Sequence, residues 1–83
     1  MPTVLRFDSL RAAIYFNNHR PAHVHVTGGE NSAVIDLRCP HGPPGIRERY
    51  GFKSSELRRI EAAVAAELAS LCRRWEEIHG YPR

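Results

Sequence analysis

The stretch Ala22-His23-Val24-His25-Val26-Thr27-Gly28-Gly29-Glu30-Asn31-Ser32-Ala33-Val34-Ile35-Asp36-Leu37-Arg38 decides how this chain folds. Successive side chains of a strand point to opposite faces, so Val24 and Val26 share one side while His23, His25 and Thr27 take the other. The returning segment alternates in the same way, with Ala33, Ile35 and Leu37 set against Val34, Asp36 and Arg38. Between the two runs, Gly28-Gly29-Glu30-Asn31 supplies residues able to adopt positive φ, which predicts a hairpin. Matching the apolar sets across a turn centred on Gly29-Glu30 pairs Val26 with Ala33 and Val24 with Ile35. The same register sets His25 opposite Val34 and His23 opposite Asp36. A slip of one residue would bury imidazoles and a carboxylate together at a cost of several kcal/mol, so the register is well determined.

Upstream, residues 3–7 form a first β-type run that ends at the polar turn Asp8-Ser9. A second run covers 10–16, with Leu10, Ala12, Ile14 and Phe16 on one face and Arg11, Ala13 and Tyr15 on the other. Asn17-Asn18-His19-Arg20-Pro21 interrupts the pattern, because Asn tolerates turn geometry and Pro cannot donate a ladder hydrogen bond. The hairpin strands then occupy 22–27 and 32–38. Residues 39–53 contain three Pro and three Gly between Cys39 and Phe52, which predicts a loop.

From Ser54 onward the period changes. Leu57, Ile60, Val64, Leu68, Leu71, Trp75 and Ile78 recur every three or four residues and form one apolar stripe, predicting a single helix over 54–79. Ser54 is the expected N-cap, Glu56 suits the positive helix start, and Gly80 with Pro82 ends the element. Such a helix would run roughly 39 Å at about 1.5 Å per residue. The expected fold is therefore α+β: an antiparallel meander of about four strands, then one long C-terminal amphipathic helix, in one domain over 1–83. One helix covers one face of a sheet, so the face bearing His23, His25 and Asp36 is expected to lie open to solvent or a partner.

Composition narrows the function classes. The chain has 83 residues, too few for two cores, and a domain this small often gains stability from a partner or a metal. No apolar run reaches the roughly 18 residues of a membrane span, and the opening MPTVLRFDSL lacks a cationic segment followed by an apolar one, so a cytoplasmic protein is expected. Two cysteines, Cys39 and Cys72, are too few for a secreted disulfide scaffold and are expected to be free thiols. Eleven of twelve basic residues are Arg and the net charge is +3, a modest excess that permits contact with nucleic acid or an acidic protein surface.

Several readings of the histidine face compete. The plainest makes it a solvated polar surface with His23 and Asp36 as a cross-strand pair. A second makes His19, His23, His25 and Asp36 ligands of a divalent metal, His19 reaching the edge from the preceding turn. A third makes His23 or His25 a general acid or base for RNA cleavage, with Arg20, Arg38 or Arg47 holding phosphate. A fourth makes the face a docking surface in which His, Tyr15 and Arg are contacts. In GIRERYGFK, Arg47, Arg49 and Lys53 alternate with Tyr50 and Phe52, residue types that contact phosphate and stack on bases. The plain alternative is that Tyr50 and Phe52 anchor the loop to the core. Trp75 reads as core, His41 as a loop residue, and His79 as a favourable charge at the helix end.

The opening MPTVLRF, the segment NNHRPAHVHV, the following SAVIDL and the closing LCRRWEEIHG resemble a family of small bacterial proteins defined only as a domain of unknown function, number forty-one-sixty. The resemblance covers nearly the whole chain, and its distinctive part is H-x-P-x-H-x-H, here His19, Pro21, His23 and His25, followed by Asp36. Many members have two prolines where this chain has Pro21-Ala22, and a helical His two turns before the tryptophan where it has Glu67. If that His belongs to a shared site, the site is altered here or Glu67 replaces it. The resemblance implies a module encoded beside a second small protein, similar to toxin–antitoxin pairs, with that protein as partner. Three functions stay open: such a module acting through protein contact and RNA or DNA contact, a metal- or histidine-dependent enzyme of ribonuclease type, and a homo-oligomeric structural module.

Overall fold

A computed structural model describes residues 3–15 and 21–80. Among the described residues the elements are β1 (Thr3–Phe7), β2 (Leu10–Ala13), β3 (His23–Gly28), β4 (Asn31–Asp36), β5 (Gly45–Tyr50), α1 (Ser54–Ala66) and α2 (Leu68–His79). The five strands pair antiparallel with their sequence neighbours in the order β1-β2-β3-β4-β5, an unbroken meander with β1 and β5 at its edges.

The hairpin has the register that alternation dictates. His23 faces Asp36, Val24 faces Ile35, His25 faces Val34 and Val26 faces Ala33, closing on Gly28 opposite Asn31. Gly29 opens the two-residue turn at φ +58°, where a side chain would be strained. Asp8 and Ser9 both take positive φ in the equally tight β1–β2 turn. Gly28 serves packing instead: a Cβ there would collide with a Leu10 side-chain carbon on the neighbouring strand.

Two expectations are corrected. The segment 39–53 is not loop throughout, since Gly45–Tyr50 forms β5 on the outer edge of β4. The prolines all precede Gly45, and a β4 edge left unpaired would leave backbone N–H and C=O groups without partners, which a neighbouring extended segment satisfies. Pairing slips between Val34 and Ile35, where Arg47 is the extra residue of a bulge. The single helix is also two, divided at Glu67 (φ −110°, ψ 17°), whose N–H bonds the Val64 carbonyl at 3.2 Å. The apolar stripe nevertheless continues across the junction. The break divides what would be roughly 39 Å of straight helix into two shorter segments. Lys53 rather than Ser54 is the N-cap of α1, its N–H donating to Glu56 Oε1 at 2.8 Å. Gly80 ends α2 at φ +83°, as anticipated.

The core lies between the sheet and the helices. Ala12, Ile14, Val24, Val26, Ile35 and Leu37 meet Leu57, Ile60, Val64, Leu68, Leu71 and Trp75, all buried. Phe52 joins them as a loop anchor, whereas Tyr50, given the same expectation, stands 65% exposed on the edge strand.

Candidate functional site: a ring cluster at one end of an open sheet face

Alternation sends His23 and His25 to the side away from α1, but the expectation that this end of the sheet stays open is overturned. The last turns of α2 reach the place where β2 ends and β3 begins, and there Trp75 meets the His23 ring at a centroid distance of 5.3 Å. His23 is consequently 5% exposed. Its ring contacts His25 edge-on at 5.2 Å, His25 contacts Tyr15 at 4.6 Å, and Trp75 stacks against His79 at 4.2 Å. His79 Nε2 donates to the Tyr15 carbonyl at 2.9 Å and completes the circuit. Five rings from β3, α2 and the segment just after β2 thus form one packed cluster, with separations in the 4.5–7 Å range or just under it that aromatic pairs favour.

The hydrogen bonds assign protons. His23 Nδ1 donates to the Pro21 carbonyl at 2.8 Å, which leaves Nε2 as the acceptor nitrogen of the neutral ring. His25 Nε2 and Trp75 Nε1 are buried and have no hydrogen-bond partner among the described residues. Burial disfavours the charged ring, so the pKa of His23 is lowered chiefly by desolvation, reinforced by Arg47 and His79 and opposed by the Pro21 bond and Asp36. His25 is lowered by desolvation first, then by His23 and Arg47, against the pull of Glu48. Both rings are therefore neutral near pH 7 and donate or accept without carrying charge.

The remaining candidates separate. Asp36 faces His23 in the ladder, but its carboxylate pairs with the Arg47 guanidinium, which the β5 bulge brings across. Arg38, at φ +55°, donates to the Pro43 carbonyl at 3.3 Å and lies over Gly45, where a Cβ would meet its guanidinium at 2.8 Å. It braces the 39–44 turn. Tyr50 is in solvent, 65% exposed. His19 and Arg20 lie outside the described residues. Among those described, no three His, Cys, Asp or Glu side chains gather closely enough to hold a metal ion. Glu67, the candidate substitute for a helical His, is exposed at the helix junction and forms no ion pair among the described residues.

Cys39 and Cys72 are not free thiols: they form a disulfide with Cα atoms 5.8 Å apart across 33 residues of sequence. Cys72 lies on the buried side of α2 one turn before Trp75, and Cys39 follows β4, so the bond ties the helix that carries the ring cluster to the exit of the histidine hairpin. The free thiols were expected from a cytoplasmic, reducing setting, and the disulfide does not fit that expectation. Among the described residues no helix is long and apolar enough to cross a membrane.

His79 and Tyr15 are the members of the cluster that spacing alone does not single out. The available signal was the pairing of an aromatic residue two positions past β2 with a second ring one turn beyond Trp75. These features define a class: a small α+β domain whose antiparallel meander is clamped at one end by histidine and tryptophan rings. The chain belongs to the family described as Domain of unknown function (DUF4160), whose model matches residues 10–76. That span contains the whole histidine hairpin and Trp75. No curated protein and no solved structure matches the chain.

Proposed function

We propose that this chain is the contact-making component of a two-gene module resembling toxin–antitoxin pairs, binding a small partner protein and nucleic acid rather than cleaving a substrate with its histidines. The observation that supports this most is the treatment of His23: 5% exposed, its Nδ1 engaged by the Pro21 carbonyl and its ring packed on Trp75. A general acid or base must reach the proton it moves, and a ring held in this way is better suited to joining α2 to the sheet. Most of the helix-free face remains available for contact, with Tyr50 fully presented at its edge. The ribonuclease alternative keeps one argument, the buried and unpartnered Nε2 of His25 beside a second neutral imidazole.

Co-expression with the product of the neighbouring gene tests the proposal. Near-stoichiometric co-purification is the expected result, and His25→Gln is expected to leave both the complex and any growth effect unchanged. Cleavage of RNA by the wild type that disappears in a folded His25→Gln variant would replace the binding reading with the nuclease one.

A further inference from the structure

The pairings that set the sheet register also align one row of side chains across every strand. Arg6 lies opposite Arg11, Arg11 opposite Thr27, Thr27 opposite Ser32, and Ser32 opposite Tyr50. Their sequence neighbours Leu5, Phe7, Ala12, Val26 and Ala33 pack into the core, so all five members of the row face away from the helices. Arg6 and Arg11 are exposed, Thr27 and Ser32 half-buried, and Tyr50 projects from the edge. At the usual strand spacing of about 4.8 Å the row runs roughly 19 Å.

Two like charges directly opposite one another destabilise a sheet. Here nothing among the described residues offsets them: the ion pairs are Arg47–Asp36 and Arg74–Glu77, and neither Arg6 nor Arg11 takes part in one. Asp8, the carboxylate nearest in sequence, lines a shallow hollow on the helix side with Leu10, Glu56 and Arg59. Asp36 is neutralised by Arg47, and Glu48 stands on β5 at the far edge from the arginines. The row therefore offers two unpaired guanidiniums, two hydroxyls and a free aromatic ring in one line.

Guanidiniums and hydroxyls suit successive phosphates, and an exposed ring gives a base a surface to stack on. An acidic peptide would satisfy the arginines alone and leave the ring at the other end without a matching partner. We propose that the row Arg6–Arg11–Thr27–Ser32–Tyr50 is a binding track for a short segment of single-stranded nucleic acid. The assignment rests on the nucleic-acid part of the function proposed above and gives that part a location.

The test is fluorescence anisotropy of the full chain with a labelled oligouridylate of about ten nucleotides, within the site sizes known for single-strand-binding folds. The Arg6→Gln, Arg11→Gln double variant should bind at least about tenfold more weakly, and losing two phosphate contacts should flatten the dependence of log K on log salt by about 1.4. Tyr50→Leu should weaken binding by about 5- to 100-fold through lost stacking. An Arg58→Gln, Arg73→Gln variant on the exposed helix surface should bind as the wild type does. All substituted side chains are exposed, and circular dichroism of each variant checks its fold. Absence of binding at low salt, or an equal loss from the helix-surface variant, would overturn the track. If the row variants keep RNA affinity but lose the co-purifying protein, the row belongs to an acidic protein partner; the track then fails while the module reading survives.

Discussion

The ring cluster and the edge strand β5 both set basic side chains beside a tyrosine, histidines in one and arginines in the other, and treat them in opposite ways. In the cluster, His23 and Trp75 are buried with their rings packed, and His23 and His79 each donate a proton to a backbone carbonyl. On β5, Arg47 makes one partly exposed ion pair, while Arg49 and Tyr50 face water. A residue type does not announce its role. The packing around it does: β3, α2 and the segment after β2 converge at the cluster, while β5 pairs with one strand only.

Perturbing each region should reveal the contrast. Trp75→Ala removes the largest buried side chain and is expected to cost about 3–5 kcal/mol, enough to unfold much of a domain this small, as read by urea denaturation. If that variant kept most of its stability, the cluster would not be the clamp described here. Breaking the disulfide with Cys39→Ser and Cys72→Ser reopens a 33-residue span and should cost about 2–4 kcal/mol, measured against the oxidised wild type.

Acid should act on the cluster and spare β5. Unfolded His23 and His25 titrate near the ordinary value of about 6.5, and folding lowers both. Below about 6.5 the unfolded chain binds more protons than the folded one, so stability is full above that pH and falls as pH drops toward the folded-state values. Urea midpoints are expected to decrease between about pH 7.5 and about pH 5, less steeply in a His23→Gln, His25→Gln variant. An unchanged slope in that variant would move the acid sensitivity elsewhere.

On the edge, a double-mutant cycle of Asp36→Ala and Arg47→Ala should give a coupling of about 0.2–1 kcal/mol, since both side chains are partly solvated. Tyr50→Leu should change stability by no more than about 0.5 kcal/mol. A large loss there would mean that the ring packs on something after all.

Much of this was legible beforehand where a local period met a strong penalty. Val24, Val26, Ile35 and Leu37 could be placed together because any other register buries polar groups. The break at Glu67 had no such marker, lying in the run Ala65-Ala66-Glu67-Leu68-Ala69 without Gly or Pro. Strand β5 was hidden by the prolines before it, and beyond Ile46, which packs against the core, its residues 47–50 are exposed and show no core face. The disulfide could not be read from two cysteines 33 residues apart, whose approach depends on how α2 crosses the end of β4.

Alternation along residues 22–38 by itself determined the strand pairing and the side of the sheet on which each histidine lies, because polar desolvation separates the two possible registers by several kcal/mol. What comes to rest against those histidines was decided only in three dimensions. Trp75 and His79 arrive some fifty residues later in the chain, carried there by the second of two helices, and no local pattern encodes that meeting.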